Sequence, residues 1–127
     1  MPPRFRKSEE QLAQRAATDA EITRLKALSV EDLALNLLPL MGPDGALGKT
    51  SVRTQLLCEY LLRDFPGGKR SKALDLLAPV REALDALERE GLVTTVSIQR
   101  SPNWRITSLG TTALAQGTVG QRVKRTG

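Results

Sequence analysis

The chain has 127 residues, of which 40% are hydrophobic but only 3% aromatic, so a small core of leucine, valine and alanine is expected. It contains no histidine and one cysteine, Cys58, which excludes an internal disulfide, a histidine-based nucleophile pair and a zinc or iron site. No apolar run approaches the roughly 18–20 residues of a membrane span, and residues 1–11 lack the apolar stretch of a secretory signal. We therefore expect a cytoplasmic protein with no membrane partner, no cofactor, no metal and no catalytic residue.

The positive charge is placed unevenly along the chain. Residues 1–90 hold fourteen basic and fourteen acidic residues, whereas residues 91–127 hold five basic residues and no acid. The formal net charge of +5 therefore arises entirely after residue 90. A one-sided excess of this kind favours a polyanionic partner such as nucleic acid, and the alternative is a solvated tail that aids solubility.

The first helix is predicted from Ser8 to about Leu28, after a disordered start at Met1–Lys7. Ser8 offers an N-cap, and Gln11 three residues later completes a capping-box pattern. The segment is rich in alanine and has few large apolar residues. It therefore either lies loosely on the domain or pairs with a second copy of the chain, which would make a homodimer through the N-terminal helix.

A second helix is predicted after Ser29, which offers an N-cap with Asp32 in the first turn. Its apolar residues recur with helical spacing, which indicates one buried face. Pro39 weakens its last turn, and Gly42-Pro43-Asp44-Gly45 then breaks the chain.

The segment PDGALGKT at 43–50 resembles part of a phosphate-binding loop of the form G-x-x-x-x-G-K-[ST]. Gly48, Lys49 and Thr50 fit that pattern, but Pro43 stands where the first glycine is required. A helix, not a buried strand, is predicted before the segment. We therefore interpret it as a turn that leads into the next helix and expect no nucleotide binding.

The third helix is predicted from Ser51 to Arg63, with a buried face that begins at Val52 and Cys58 as a small half-buried residue. Phe65-Pro66-Gly67-Gly68 ends it. Three cations, Lys69, Arg70 and Lys72, then crowd a helix start capped by Ser71. Helix N-termini disfavour positive charge and bind anions, so the cluster indicates either a phosphate contact or a solvated basic loop.

Helical spacing continues from Leu74 to Gly91, which suits a C-terminal cap. Pro79 lies inside this run. Either it kinks one long helix, or a short helix ends near Leu77 and Pro79 opens the next helix at its first position. The exposed face is expected to carry Glu82, Asp85 and Glu88, which look like surface charge and form no acid–base pair.

A β-hairpin is predicted next. Leu92–Gln99 is rich in β-branched residues, which indicates a strand. Arg100–Asn103 is predicted to be a turn, with Pro102 as a favourable turn residue. Trp104–Thr107 is predicted to be the return strand. Ser108–Gln116 is predicted to be a short helix. Three units follow from this pattern: an N-terminal basic segment and accessory helix at 1–28, a domain at 29–116 and a flexible basic tail at 117–127.

The segment VREALDALEREGLV at 80–93 resembles the recognition helix and strand entry of GntR-type regulators, and more generally of winged helix-turn-helix families such as MarR- and PadR-like proteins. WRITSLGTTAL at 104–114 is similar to the second wing strand and following helix of the same families. The resemblance covers residues 29–116 and implies a mainly α winged helix-turn-helix fold with a small β-hairpin wing. It also implies that Arg81 contacts DNA. One departure lies upstream, where Ser71–Ala78 leaves too little chain for the family's separate helix and turn.

We therefore expect a binding protein for double-stranded DNA: a small bacterial or phage-type transcriptional regulator, or a nucleoid or plasmid DNA-binding factor. The helix from Ser71 is expected in the major groove, with the wing and tail on the backbone. The alternative is a winged-helix module for protein–protein interaction, which the acids at 82, 85 and 88 favour. The expected DNA-binding residues are Lys49, Thr50, Ser51, Arg53, Lys69, Arg70, Ser71, Lys72, Arg81, Arg100, Asn103, Arg105, Arg122, Lys124 and Arg125.

Overall fold

The computed structural model describes residues 3–65 and 70–126, with side chains for residues 9–65 and 72–123. The described chain is mainly helical with one two-stranded antiparallel hairpin, as predicted. In order, the elements are α1 (Pro3–Ala27), α2 (Val30–Leu37), α3 (Thr54–Leu61), α4 (Arg70–Ala73), α5 (Leu77–Arg89), β1 (Val93–Ile98), β2 (Ser101–Ile106), α6 (Ser108–Gln116) and α7 (Val119–Thr126). Single 3₁₀ turns at Leu38–Leu40 and Leu74–Leu76 extend α2 and join α4 to α5.

Helix α1 starts earlier than predicted, at Pro3, so Ser8 lies inside the helix and the prediction of a disordered start is wrong from Pro3 onward. Only its second half packs on the rest of the chain. Thr18, Ile22 and Leu25 recur at helical spacing and are buried, whereas residues 9–17 are all exposed. Residues 9–17 are therefore a helical stretch whose side chains face solvent.

The start of α2 agrees with its sequence pattern. Ser29 Oγ accepts a hydrogen bond from the backbone N–H of Asp32 at 3.1 Å, which satisfies one of the free donors at the helix start. Pro39 lies in the following 3₁₀ turn at a position that has no donor to lose. The predicted N-cap is confirmed.

Helix α3 begins at Thr54, so the predicted start at Ser51 is wrong. Val52 is not a helical residue but forms an isolated antiparallel bridge with Trp104. Its helical spacing with Leu56 was coincidental, because one apolar residue before an apolar helix suits a bridged strand position equally well. The bridge makes Val52 a one-residue third strand beside β2.

The region around Pro79 contains a break near Leu77, as the second alternative predicted, but Pro79 does not open the new helix. The chain leaves α4 through the 3₁₀ turn and enters α5 at Leu77, so Pro79 is the third residue of α5. N–H groups in the first turn of a helix have no intrahelical partner, and the proline therefore removes no hydrogen bond. Gly91 follows α5 with φ of 75° and ends the helix as predicted.

The hairpin turns earlier than predicted. The two-residue loop is Gln99-Arg100, and both residues have positive φ, 50° and 66°, which matches the twist of a tight antiparallel hairpin. Pro102 lies within β2 opposite Ser97. Trp104, two positions on, directs its N–H and C=O to Val52, so the missing N–H at 102 points away from β1 and costs no pairing.

The last two helices pack back on the domain. Thr107 caps α6, and Gly117 ends it in the left-handed conformation. The segment predicted as a flexible tail instead forms α7, whose Val119 and Val123 are buried against the rest of the chain. The core therefore draws on residues from α1 and α7 as well as on the elements between them.

Candidate nucleic-acid interface

Side chains alternate along the hairpin and the bridged strand, which therefore have an inner face that carries Trp104 and an opposite face. On the inner face, Val93 and Trp104 are buried, and their strand neighbours Thr94 and Arg105 face the other way and are exposed. Thr94 and Arg105 are direct partners in the β1–β2 register. We call the side that carries Thr94 and Arg105 the outer sheet face.

Two backbone hydrogen bonds extend this face to a third strand. The N–H of Val52 donates to the carbonyl of Trp104 at 2.9 Å, and the N–H of Trp104 donates back at 2.6 Å. An antiparallel bridge at this pair places Arg53 across from Asn103 and Ser51 across from Arg105. Four predicted DNA contacts therefore lie on one surface.

A shallow polar groove of about 260 Å³ runs from this surface to α3. Its wall includes Lys49, Arg53 and Asn103 from the predicted site. Ser51 and Val52 also line it, as do Gln55, Leu56 and Glu59 of α3, of which only Ser51 was predicted as a site residue. The sequence predicted a helix from Ser51 and no strand at Val52. It therefore did not indicate that Gln55 and Glu59 lie beside a strand.

Asn103 is the most deeply buried polar group of the groove, with 7% of its surface exposed. Its Nδ2 donates to the carbonyl of Ser101 at 3.1 Å, which fixes the amide along β2. The groove therefore contains a buried, hydrogen-bonded amide, and Lys49 and Arg53 are exposed at its wall.

The cations of this surface lack acidic partners. Among the described side chains, no carboxylate pairs with Lys49, Arg53, Arg100 or Arg105. Glu59 is the one acid in the described groove wall, and it has an interaction within the chain. Unpaired cations on one face give a local positive field that favours an anionic partner.

Arg100 lies at the tip of the hairpin and is exposed, beside the shallow depression formed by Thr95, Val96 and Pro102. Thr50, at the bend before the bridged strand, is exposed and does not line the groove. Thr95, Ser97 and Pro102 of this depression lie on the same side of the hairpin as Trp104, so Arg100 is not assigned to the outer sheet face. Thr50 precedes Ser51 of that face along the chain.

The structure gives the predicted cluster at residues 69–72 a different setting. Lys72 Nζ lies 2.9 Å from Asp19 Oδ1 of α1 and forms an ion pair with it. Arg70 and Ser71 belong to the four-residue helix α4, so Ser71 does not start the long helix as expected. Their side chains, and the whole of Lys69, lie outside the described residues.

Arg81, which the family resemblance implies as a DNA contact, lies on α5 beside the inner side of the sheet. Its guanidinium is 5.5 Å from the centre of the Trp104 ring and 3.3 Å from Asp85 Oδ1. Glu82 and Glu88 share the exposed side of α5. The long helix therefore presents more negative than positive charge around Arg81.

The basic residues of the predicted tail lie on α7. Arg122 is half-buried and has an interaction partner within the chain. The side chains of Lys124 and Arg125 lie outside the described residues. Of these three residues, only Arg122 has a described side chain, and it does not line the groove at α3.

No known protein family, curated protein or solved structure matches this chain. In the described parts of the chain, no helix is long and apolar enough to cross a membrane. No group of three or more cysteine or acidic side chains is placed to hold a metal ion among the same residues.

Proposed function

We propose that this protein binds double-stranded DNA through the outer sheet face and that its fold is of the winged helix-turn-helix type. The observation that carries the proposal is the set of exposed cations Lys49, Arg53 and Arg105, none of which forms an ion pair with a carboxylate among the described side chains. Exposed cations without carboxylate partners are available to neutralise phosphates and release counterions.

The order of elements supports the fold assignment. A helix at 30–40, a bridged strand at Val52, a second helix, a helical segment that ends in α5 and a two-stranded hairpin follow one another. The resemblance at 80–93 and 104–114 implies the last part of this order, a helix followed by the two strands of a hairpin and another helix. The short helix α4 lies upstream of Arg81, where the chain departs from the family pattern.

The experiment is a fluorescence anisotropy titration of a random-sequence DNA duplex. We expect a Kd in the range of about 10⁻⁴ to 10⁻⁶ M near physiological salt, typical of non-specific binding. With three or four phosphate contacts, the affinity should fall about 40- to 150-fold between roughly 50 and 200 mM salt. Absence of binding at the lower salt would refute the DNA proposal.

Two substitutions locate the surface. Arg53→Gln and Arg105→Gln should each lower the affinity several-fold and reduce the steepness of the logarithmic salt dependence by about one. Arg89→Gln is the matched control, because Arg89 is an exposed arginine at the end of α5, away from the groove lining.

One observation favours a second candidate, a protein-interaction module. Glu82, Asp85 and Glu88 line the exposed side of α5, and such a surface suits a basic protein partner better than a phosphate backbone. This candidate requires no DNA affinity. If the chain does not bind duplex DNA at low salt, protein–protein interaction becomes the better-supported function.

A further inference from the structure

The basic surface and the long helix α5 lie on opposite sides of the sheet. Thr95 and Trp104, paired across β1 and β2, both point toward α5. The Thr95 hydroxyl lies 3.4 Å from Glu88 Oε2, and Arg81 lies over the Trp104 ring. Because side chains alternate along a strand, Asn103 and Arg105 point the other way.

The charges on α5 argue against its entry into a DNA groove. Glu82 and Asp85 lie on its exposed side, and Asp85 already holds the guanidinium of Arg81. A helix in the major groove runs between two rows of phosphates, and carboxylates there are repelled by both rows. The outer sheet face has unpaired cations instead.

The geometry points to a duplex that lies across the outer sheet face, with α5 outside the major groove, so that binding depends on the phosphate backbone and little on base sequence. This inference rests on the proposed function and adds an orientation and a substrate class to it. It also reassigns Arg81 from a DNA contact to a residue that ties α5 to the sheet.

The absence of a stacking surface supports a duplex over a single strand. Trp104 is 1% exposed and belongs to the inner face, and no aromatic side chain lies among the described residues of the outer sheet face. Single-stranded nucleic acid is usually held by bases stacked on aromatic rings. A single strand of the same length should therefore bind more weakly than the duplex.

The first test changes the charge of each side of the sheet separately. The double variant Glu82→Gln, Asp85→Asn removes two negative charges from α5, and Arg81→Gln removes its positive charge. We expect each to keep the duplex affinity within about threefold of the original chain, because α5 faces away from the phosphates. Arg53→Gln with Arg105→Gln should lower it by tenfold or more.

The second test probes the major groove directly. Dimethyl sulfate methylates guanine N7, which lies at the floor of that groove. A short duplex saturated with the protein should show unchanged guanine reactivity, whereas ethylation of its phosphates should interfere with binding. Duplexes of different sequence should have affinities within a few-fold of one another.

The outcomes separate this inference from the proposed function. Protection of guanine N7, or an affinity that rises at least tenfold when Glu82 and Asp85 are neutralised, would show that α5 enters the groove and would overturn the inference while DNA binding stands. Loss of all duplex binding at low salt would overturn both. Variant folding is checked by circular dichroism in each case.

Discussion

The indole Nε1 of Trp104 donates a hydrogen bond to Thr54 Oγ1 at 2.9 Å. Trp104 is buried in β2, and Thr54 is the first residue of α3, fifty positions earlier in the chain. With the backbone bridge to Val52, this contact fixes the start of α3 against the sheet. The groove that begins at Arg53 depends on that junction for its shape.

The first prediction concerns this hydrogen bond. Thr54→Val keeps the shape of the side chain but leaves the buried indole N–H without a partner, which should lower the free energy of unfolding by about 1–3 kcal/mol. Urea denaturation measures the change. Thr50→Val, at an exposed position four residues earlier, should stay within about 0.5 kcal/mol of the original chain. Equal losses in both variants would mean that the hydrogen bond does not stabilise the junction.

The second prediction concerns the hydroxyl that joins α6 to the end of α5. Thr107 Oγ1 accepts from the N–H of Gly110 at 3.0 Å and donates to the carbonyl of Gly91 at 2.6 Å. Thr107→Ala removes both bonds and should lower the free energy of unfolding by about 2 kcal/mol, at the upper end for a helix cap. Thr107→Ser should recover most of the loss.

Ser108→Ala is the control for that cap, because Ser108 is exposed and is the first residue within α6. It should change the free energy of unfolding by no more than about 0.5 kcal/mol. If Thr107→Ser lost as much free energy of unfolding as Thr107→Ala, the hydroxyl of Thr107 would not be the cause of the loss.

Sequence periodicity predicted those parts of the fold that bury a continuous face. Helix α2 and the end of α5 follow from helical spacing, a capping serine and a C-terminal glycine. These signals are local, since a helix makes its hydrogen bonds within four residues. Cap and spacing are therefore both visible in the sequence.

The errors lie where distant residues decide the conformation. Val52 adopts an extended position because Trp104, far along the chain, supplies its hydrogen bonds. Helix α7 has only Val119 and Val123 as apolar anchors, so its sequence has the composition of a flexible tail until α2 is there to cover them. The pairing register of β1 and β2 places the hairpin turn at Gln99-Arg100. Pro102 wrongly indicated a turn at residues 100–103.

The same reasoning explains the candidate site. Lys49, Ser51 and Arg53 were predicted from charge and position at the start of a helix, and Asn103 and Arg105 from the hairpin. Their meeting on one face requires the bridge, which no local pattern contains. The ion pair between Lys72 and Asp19 was equally invisible, since its partners are 53 positions apart.

The third prediction concerns Cys58, which is fully buried in α3, not half-buried as predicted from the sequence. Burial raises the pKa of its thiol to about 12, because the thiolate loses its hydration in the core. At pH 8 the folded protein should therefore hold the thiol protonated and react very slowly with a disulfide reagent. Unfolding in urea should restore the ordinary rate. Rapid reaction of the folded chain at pH 8 would show that α3 opens readily.

The last prediction contrasts two helical glycines. Alanine at an exposed position inside a helix is normally more stable than glycine by up to about 1 kcal/mol. At Gly110 of α6, however, an added methyl group would collide with the backbone carbonyl of Leu92 and lie 2.8 Å from Ile106 Cγ1. Since a backbone carbonyl held in the core cannot move aside, Gly110→Ala should lower the free energy of unfolding by about 1–3 kcal/mol or more.

Gly120 of α7 is the matched case. Its added methyl group would meet only the flexible end of Glu31, at 3.2 Å, and the side chain of Leu35 at 3.5 Å. Gly120→Ala should therefore leave the free energy of unfolding unchanged or raise it by up to about 1 kcal/mol. Opposite signs for the two substitutions in urea denaturation are the expected result. A stabilising Gly110→Ala would mean that α6 does not approach the turn after α5 as closely as the structure shows.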